Sequence, residues 1–143
     1  MKPDPVGIAW AEPPSAVNTA PAPEPTKFWY LATPYSKYPG GHKAAFELSA
    51  RVAARLLVVG VPVFAPIAHS HPISEHLTVS NTDHDFWVRV DAPFVKSATG
   101  LIVYMAEGWY ESRGVRHEID MFRAADKPVV FWMPGTFPPT EVM

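Results

Sequence analysis

Two carboxylates lie where a helix should carry hydrocarbon. Glu118 falls on the apolar stripe that Val115, Ile119 and Phe122 trace at helical spacing, directly after the polar and aromatic segment Trp109-Tyr110-Glu111-Ser112. Asp91 does the same on a stripe with Trp87, Val90 and Phe94. A core-facing acid must find a charged partner, shift its pKa, or face a cavity that holds a ligand. Ion pairs are open to both: Glu118 with Arg116, Arg123 or an arginine of an earlier helix, and Asp91 with Arg51 or Arg55. If they are unpaired and close together, they suit glycosyl transfer. One carboxylate traps an oxocarbenium-like carbon, and the other, its pKa raised by burial, protonates the leaving group.

Other polar residues cluster in three stretches. Ser112 stands where the last of these helices begins, so it is expected to cap it; a cap is also where backbone N–H groups gather for a phosphate or hydroxyl. Gly40-Gly41 precedes the first helix and could hold an anion, although no Gly-Lys-Ser/Thr follows to make it a nucleotide-binding P-loop. Tyr35, Trp109 and Tyr110 offer faces on which a base can stack. His69-Ser70-His71 and Asp83-His84-Asp85 have ligand-type side chains, but they lie over ten residues apart and contain no His-x-x-x-His pair. No metal or cofactor is expected, and His69 is assigned instead to substrate contact.

The elements that must position these residues follow from periodicity. Residues 28–32 and 61–65 read as strands, with a helix from His42 to Val59 between them that Gly60 ends. Residues 66–82 read as a long polar loop and 83–97 as a second helix that Pro93 kinks or restarts. A strand over 100–105, a helix over 114–125 and a strand over 127–132 complete the set. Alternation of this kind predicts an α/β, flavodoxin-like or Rossmann-like doubly wound parallel sheet of about four to five strands, with its ligand beyond the carboxyl ends of the strands. The loops 33–41, 66–82 and 106–113 would converge there.

Bulk properties narrow the function. With 143 residues, 48% of them hydrophobic, the chain suits one domain with a proper core. Residues 1–26 hold Pro3, Pro5, Pro13, Pro14, Pro21, Pro23 and Pro25 and read as a flexible arm; 27–134 is the folded unit and 135–143 a tail. A formal net charge of −2 argues against a nucleic-acid polymer as partner. No cysteine is present, which removes disulfides, thiolate metal sites and a cysteine nucleophile and fits a cytoplasmic setting. No secretory signal is visible, and no apolar run approaches the ~20 residues that cross a bilayer, so no membrane partner is expected.

Taken together, Tyr30-Leu31-Ala32-Thr33-Pro34-Tyr35, then Asp91, then Ser112-Arg113-Gly114-Val115-Arg116-His117-Glu118, then Lys127-Pro128, resemble the pattern of the nucleoside 2-deoxyribosyltransferase superfamily. The related 2'-deoxynucleoside 5'-monophosphate N-glycosidases share it, including a serine six residues before the catalytic glutamate. The resemblance implies cleavage or transfer at the N-glycosidic bond of a small nucleoside or nucleotide, in a homo-oligomer, a dimer or tetramer, whose sites neighbouring subunits complete. It implies Glu118 as nucleophile, Asp91 as the acid at the base, and Ser112 near the sugar or 5'-phosphate. Tyr30, Thr33, Pro34, Tyr35, Gly40, Gly41, His69, Trp109 and Gly114 would line the substrate. Where phosphate-accepting members carry an arginine in the first loop, this chain has none, and Lys37 or Lys43 stands nearest. Two other classes compete: a nucleotide-binding module whose acids only hold ribose hydroxyls, and a metal phosphoesterase built on the histidines. A subunit interface is also expected from the crowd of aromatics Tyr35, Tyr38, Phe86, Trp87, Trp109 and Tyr110, which a small domain should struggle to bury alone.

Overall fold

A computed structural model describes residues 27–80 and 83–143. The expected N-terminal arm lies outside the described residues. Four short strands, β1 (Trp29–Ala32), β2 (Val63–Phe64), β3 (Gly100–Tyr104) and β4 (Val129–Trp132), form one sheet in the order β2-β1-β3-β4, and every pairing is parallel. Parallel strands need crossovers, and the helices supply them: α1 (His42–Val58), α2 (Pro66–Ser74), α3 (His84–Ser97) and α4 (Arg113–Ala124).

The apolar text of the strands is explained by burial on both faces. All five residues of β3 are buried. Side chains alternate between faces: Leu31, Ile102, Tyr104 and Trp132 pack with Leu48, Val52 and Leu56 of α1. Tyr30, Ala32, Leu101 and Val103 pack with Val95 of α3 and Val115, Ile119 and Phe122 of α4. Helices thus cover both faces, the doubly wound, flavodoxin-like arrangement expected from the sequence. The chain leaves β1 in one direction to make β2, then returns to the other side of β1 to make β3. The crevice between the carboxyl ends of β1 and β3 is therefore the switch point at which such folds hold ligands.

Two expectations need correction, and a third loses one of its arguments. The segment 66–82 is not all loop, because Pro66–Ser74 is helical. Pro66 occupies the first turn, where its missing N–H costs nothing, so proline here starts a helix instead of preventing one. Pro93 does not interrupt α3, which runs through it. Both Pro93 and Arg89, four residues earlier, are on the exposed side, where water can take the carbonyl that proline leaves without a donor. The aromatic surplus that argues for a subunit interface is mostly absorbed within one chain. Tyr38 and Trp109 pack on the two core clusters, Tyr35 stacks on His42, and Phe86 meets Trp87 edge to face. Of the six, only Tyr110 is exposed. Oligomer formation then rests on the resemblance alone.

The proline-containing tail is also fixed. Val142 is buried in the α1-side core, and Arg55 Nη2 and Trp132 Nε1 both donate to the Thr136 carbonyl, at 2.7 and 3.2 Å. The sheet is tightly packed at Gly100. A Cβ there would lie 2.6 Å from the Trp29 ring and 2.7 Å from the Pro128 carbonyl oxygen. Both neighbours belong to adjacent strands or their entry, so the backbone itself would have to move. Gly100→Ala is expected to destabilise the fold by about 1–3 kcal/mol, read as a lower denaturation midpoint in urea at unchanged slope. An unshifted midpoint would mean that the sheet can open at no cost.

Candidate functional site

A cavity of about 350 Å³ opens at the β1/β3 switch point. Thr33 and Tyr35 bring the loop after β1 to it, α2 and α3 form its walls, and the start of α4 closes it. The loop after β3 is held down at Gly108, whose φ of +90° and contact with the Lys37 carbonyl leave no room for a side chain. That contact ties the third loop to the first.

Tyr30, Asp91 and Glu118 converge in the cavity wall. Tyr30 sits on the face of β1 that α3 and α4 cover, so its side chain rises between the two helices that carry the acids. Neither carboxylate meets an arginine in an ion pair among the described residues, so the structural reading of both acids as arginine partners falls. Burial pushes Glu118 up to about 8; the Tyr30 hydroxyl opposes that rise and the Asp91 charge adds to it. Burial pushes Asp91 up to about 6, again with the Tyr30 hydroxyl opposing. Burial, then Glu118, then Asp91 hold the Tyr30 phenol well above its ordinary value. The hydroxyl is close enough to both carboxylates to act on them electrostatically. It completes a well-directed hydrogen bond with neither, and Tyr30 Oη and Asp91 Oδ1 are buried without a partner. Direction decides whether a bond exists, so the trio is convergent but unbonded, and a ligand hydroxyl or a water can complete it. Glu118 is closely surrounded by protein yet only half-buried by surface accessibility. It lines the cavity, which reconciles the two descriptions.

The remaining wall has two characters. At the start of α4 the Ser112 hydroxyl accepts from the Val115 amide at 3.3 Å, as a cap should, and the same serine lines the cavity. Lys37 and Arg113 bring positive charge to the cavity lining. His84 and His117 meet edge to face at 5.1 Å, and His117 Nε2 is buried without a partner. Burial, Arg113 and His117 lower the His84 pKa, and Asp85 opposes them. Arg113, His84 and His117 are shared with a shallower cleft that Arg116, Glu111 and Asp120 complete. The Tyr35 ring stacks on His42 at 4.3 Å, and its hydroxyl lies 2.6 Å from His71 Nδ1. Thr33 Oγ1 and Ser70 Oγ, also in the cavity lining, are buried without partners.

Of the residues expected from the sequence, Tyr30, Thr33, Tyr35, Asp91, Ser112, Gly114 and Glu118 line this cavity. Others do not. Pro34 is buried beneath the loop. Gly40 and Gly41 shape the entry to α1 with φ of +94° and +92°, a steric role away from the cavity. His69 is exposed and packs beside Phe64 and Phe94. Trp109 packs on the α4-side core and against Phe131, so it is no stacking platform for a base. Sequence reasoning passed over Ser70, His84, Arg113 and His117 as cavity residues, and assigned His69 where His71 belongs. The signal lay in α2: reading Pro66 as a helix start puts Ile67, Ser70, His71 and Ser74 on one face. Among the described residues no group of three or more His, Asp or Glu side chains is placed to hold a metal ion.

The fold and the cavity define a doubly wound α/β protein with an acid pair at its ligand-binding switch point. Residues 27–134 match the family described as a domain of unknown function, DUF1937, and the chain belongs to that family. No curated protein matches the chain. No helix among the described residues is long and apolar enough to cross a membrane.

The raised carboxyl pKa values have a stability consequence. Between 4.5 and about 8 the folded protein binds more protons at Glu118 than the unfolded chain does, and Asp91 adds the same sign between 3.8 and about 6. Stability contributed by these protons is present at low pH and lost as pH rises through the folded-state values. The ligand-free protein is expected to lose thermal stability from about pH 5 to about pH 8.5, and Glu118→Gln to flatten that slope. Identical slopes for the two proteins would refute the burial of the Glu118 charge.

Proposed function

We propose that the protein cleaves or transfers the N-glycosidic bond of 2'-deoxynucleosides or their 5'-monophosphates. The observation that carries this reading is the convergence of Asp91 and Glu118 on the Tyr30 hydroxyl in one cavity, with no arginine in an ion pair with either acid among the described residues. Strongly interacting acids titrate as a pair, so between about pH 6 and about 8 the pair holds one proton and one negative charge. Displacement at a glycosidic carbon with acid assistance uses that state: one carboxylate and one carboxylic acid.

In the reaction an oxygen of ionised Glu118 attacks C1' of the sugar. The C1'–N bond breaks, its electron pair goes to the base, and Asp91 supplies the proton that the base takes up. Water or a second base then displaces the glutamyl ester, returning the proton to Asp91. In the empty cavity Glu118 holds the shared proton more tightly, so substrate binding must move it to Asp91. The Tyr30 hydroxyl between them offers the route, accepting from one acid as it donates to the other. The pKa order alone would favour reversed roles; the resemblance favours Glu118 as nucleophile. Glu118→Gln is expected to remove base release, by at least about 10⁴-fold in kcat, and Asp91→Asn to lower it about 10²–10⁴-fold. Sugar trapped on Glu118 and found by peptide mass mapping would fix the roles, and sugar on Asp91 would reverse them. For the wild type, kcat/KM should follow a bell with limbs near pH 6 and 8. Absence of free base from a panel of nucleosides and monophosphates would end the reading and leave the nucleotide-binding alternative.

The cationic wall bears on the substrate. Lys37, Arg113 and the Ser112-capped start of α4 share the cavity with the acids, and helix starts favour anions. They support 5'-monophosphates over nucleosides. The monophosphate is expected to bind about tenfold tighter by calorimetry, with Arg113→Ala removing most of the difference. Equal binding would move the assignment to a nucleoside enzyme.

A further inference from the structure

Three residues from the loop after β1 and the α2 segment form a chain. Tyr35 Oη lies 2.6 Å from His71 Nδ1, and His71 Nε2 lies 3.8 Å from a Glu75 carboxylate oxygen. The His71 ring is fixed between these contacts by stacking on Phe46 at 4.8 Å, and Tyr35 is fixed by its stack on His42. Tyr35 and His71 both line the cavity; Glu75 stands outside it with an exposed side chain. The chain therefore runs from solvent into the ligand space.

Its polarity follows from what each group can donate. An ionised carboxylate only accepts, so Glu75 favours the histidine proton on Nε2. At 3.8 Å Glu75 acts on the ring through its charge and not through a hydrogen bond; with the proton on Nε2, Nδ1 of the neutral ring accepts and the hydrogen of Tyr35 goes to it. A phenol whose single hydrogen is committed can offer the cavity only its oxygen lone pairs. We infer that Tyr35, set by His71 and Glu75, is a hydrogen-bond acceptor that selects the base of the ligand, so that the site takes bases that present an N–H donor to it, such as an exocyclic amino group, over bases that present none there. Thr33 and Ser70 hydroxyls can donate or accept as needed, Lys37 and Arg113 only donate, and the acids are engaged at the glycosidic bond; Tyr35 is thus the acceptor left to the rest of the base. Tyr35 touches the ligand, and His71 is a positioning residue that acts through it. The inference rests on the glycosidic reading of the same cavity for the identity of the ligand as a nucleobase.

The test separates the two. Calorimetry on the full-length protein measures binding of free bases in pairs that differ by the amino group: adenine against unsubstituted purine, and cytosine against 2-pyrimidinone. At least one amino base is expected to bind about tenfold or more tightly than its partner, the effect of one good hydrogen bond in a buried site. Tyr35→Phe keeps the ring but should reduce that ratio to about threefold or less, since no acceptor remains. His71→Ala should do the same by releasing the tyrosine hydrogen. His71→Asn, whose side-chain oxygen can stand in for Nδ1, should retain the preference, which a merely structural role for His71 would not predict. Equal binding within both pairs, no binding of any base at millimolar concentration, or a preference that survives Tyr35→Phe overturns the inference. Selective binding without base release from any nucleoside or monophosphate overturns the glycosidic reading and leaves this subsite standing. Base release without selectivity does the reverse.

Discussion

Taking two carboxylates out of water without a cation beside them is the constraint on which the rest of this structure depends. An isolated buried carboxylate is so costly that it takes up a proton instead, and two together cannot both stay ionised. Asp91 and Glu118 accept that condition around the Tyr30 hydroxyl, with pKa values raised to about 6 and about 8. Such an arrangement is not one that stability alone would select. Apolar residues of similar size on the same stripes would pack without the penalty. What the arrangement provides is a fixed acid and a fixed base within one cavity, with its polar atoms left incomplete. A ligand that completes them recovers part of the cost on binding.

The fold meets that constraint by dividing labour between its faces. On one side of the sheet α1 packs a hydrocarbon core that holds β1 and β3 in register. On the other, α3 and α4 pack through Val95, Val115, Ile119 and Phe122 while each turns one acid toward the cavity. The acids lie on the same helical stripes as those apolar residues, so the packing that buries the stripe also aims the carboxylate. Gly108 against Lys37 and the Ser112 cap fix the loops above. The cavity that results is chemically mixed: two acids, a lysine and an arginine, and a tyrosine with a histidine all line it. A ligand that joins an anion, a sugar and a flat polar base would find a partner for each among those groups, which is the physical content of the proposed activity.

Much of this was legible in the chain. Alternating apolar runs and 3.6-residue stripes determined the number, type and order of the major elements, because burial on both faces of a parallel sheet forces that pattern. The stripes also marked Asp91 and Glu118, since an acid among core residues stands out in one dimension. Ser112 before Gly114 and Val115 announced a cap, a local interaction that needs no tertiary context. Tertiary structure decided everything that depends on which distant surfaces meet. Proline and histidine in 66–74 hid α2, which packs beside α1. His71 replaced His69, and Trp109 left the site, because a two-residue step or a turn of loop reverses which way a side chain faces. The raised pKa values, the convergence on Tyr30 and the Tyr35–His71 contact belong to groups separated by tens of residues. No spacing along the sequence encodes those encounters, because they follow from the way helices pack across a twisted sheet.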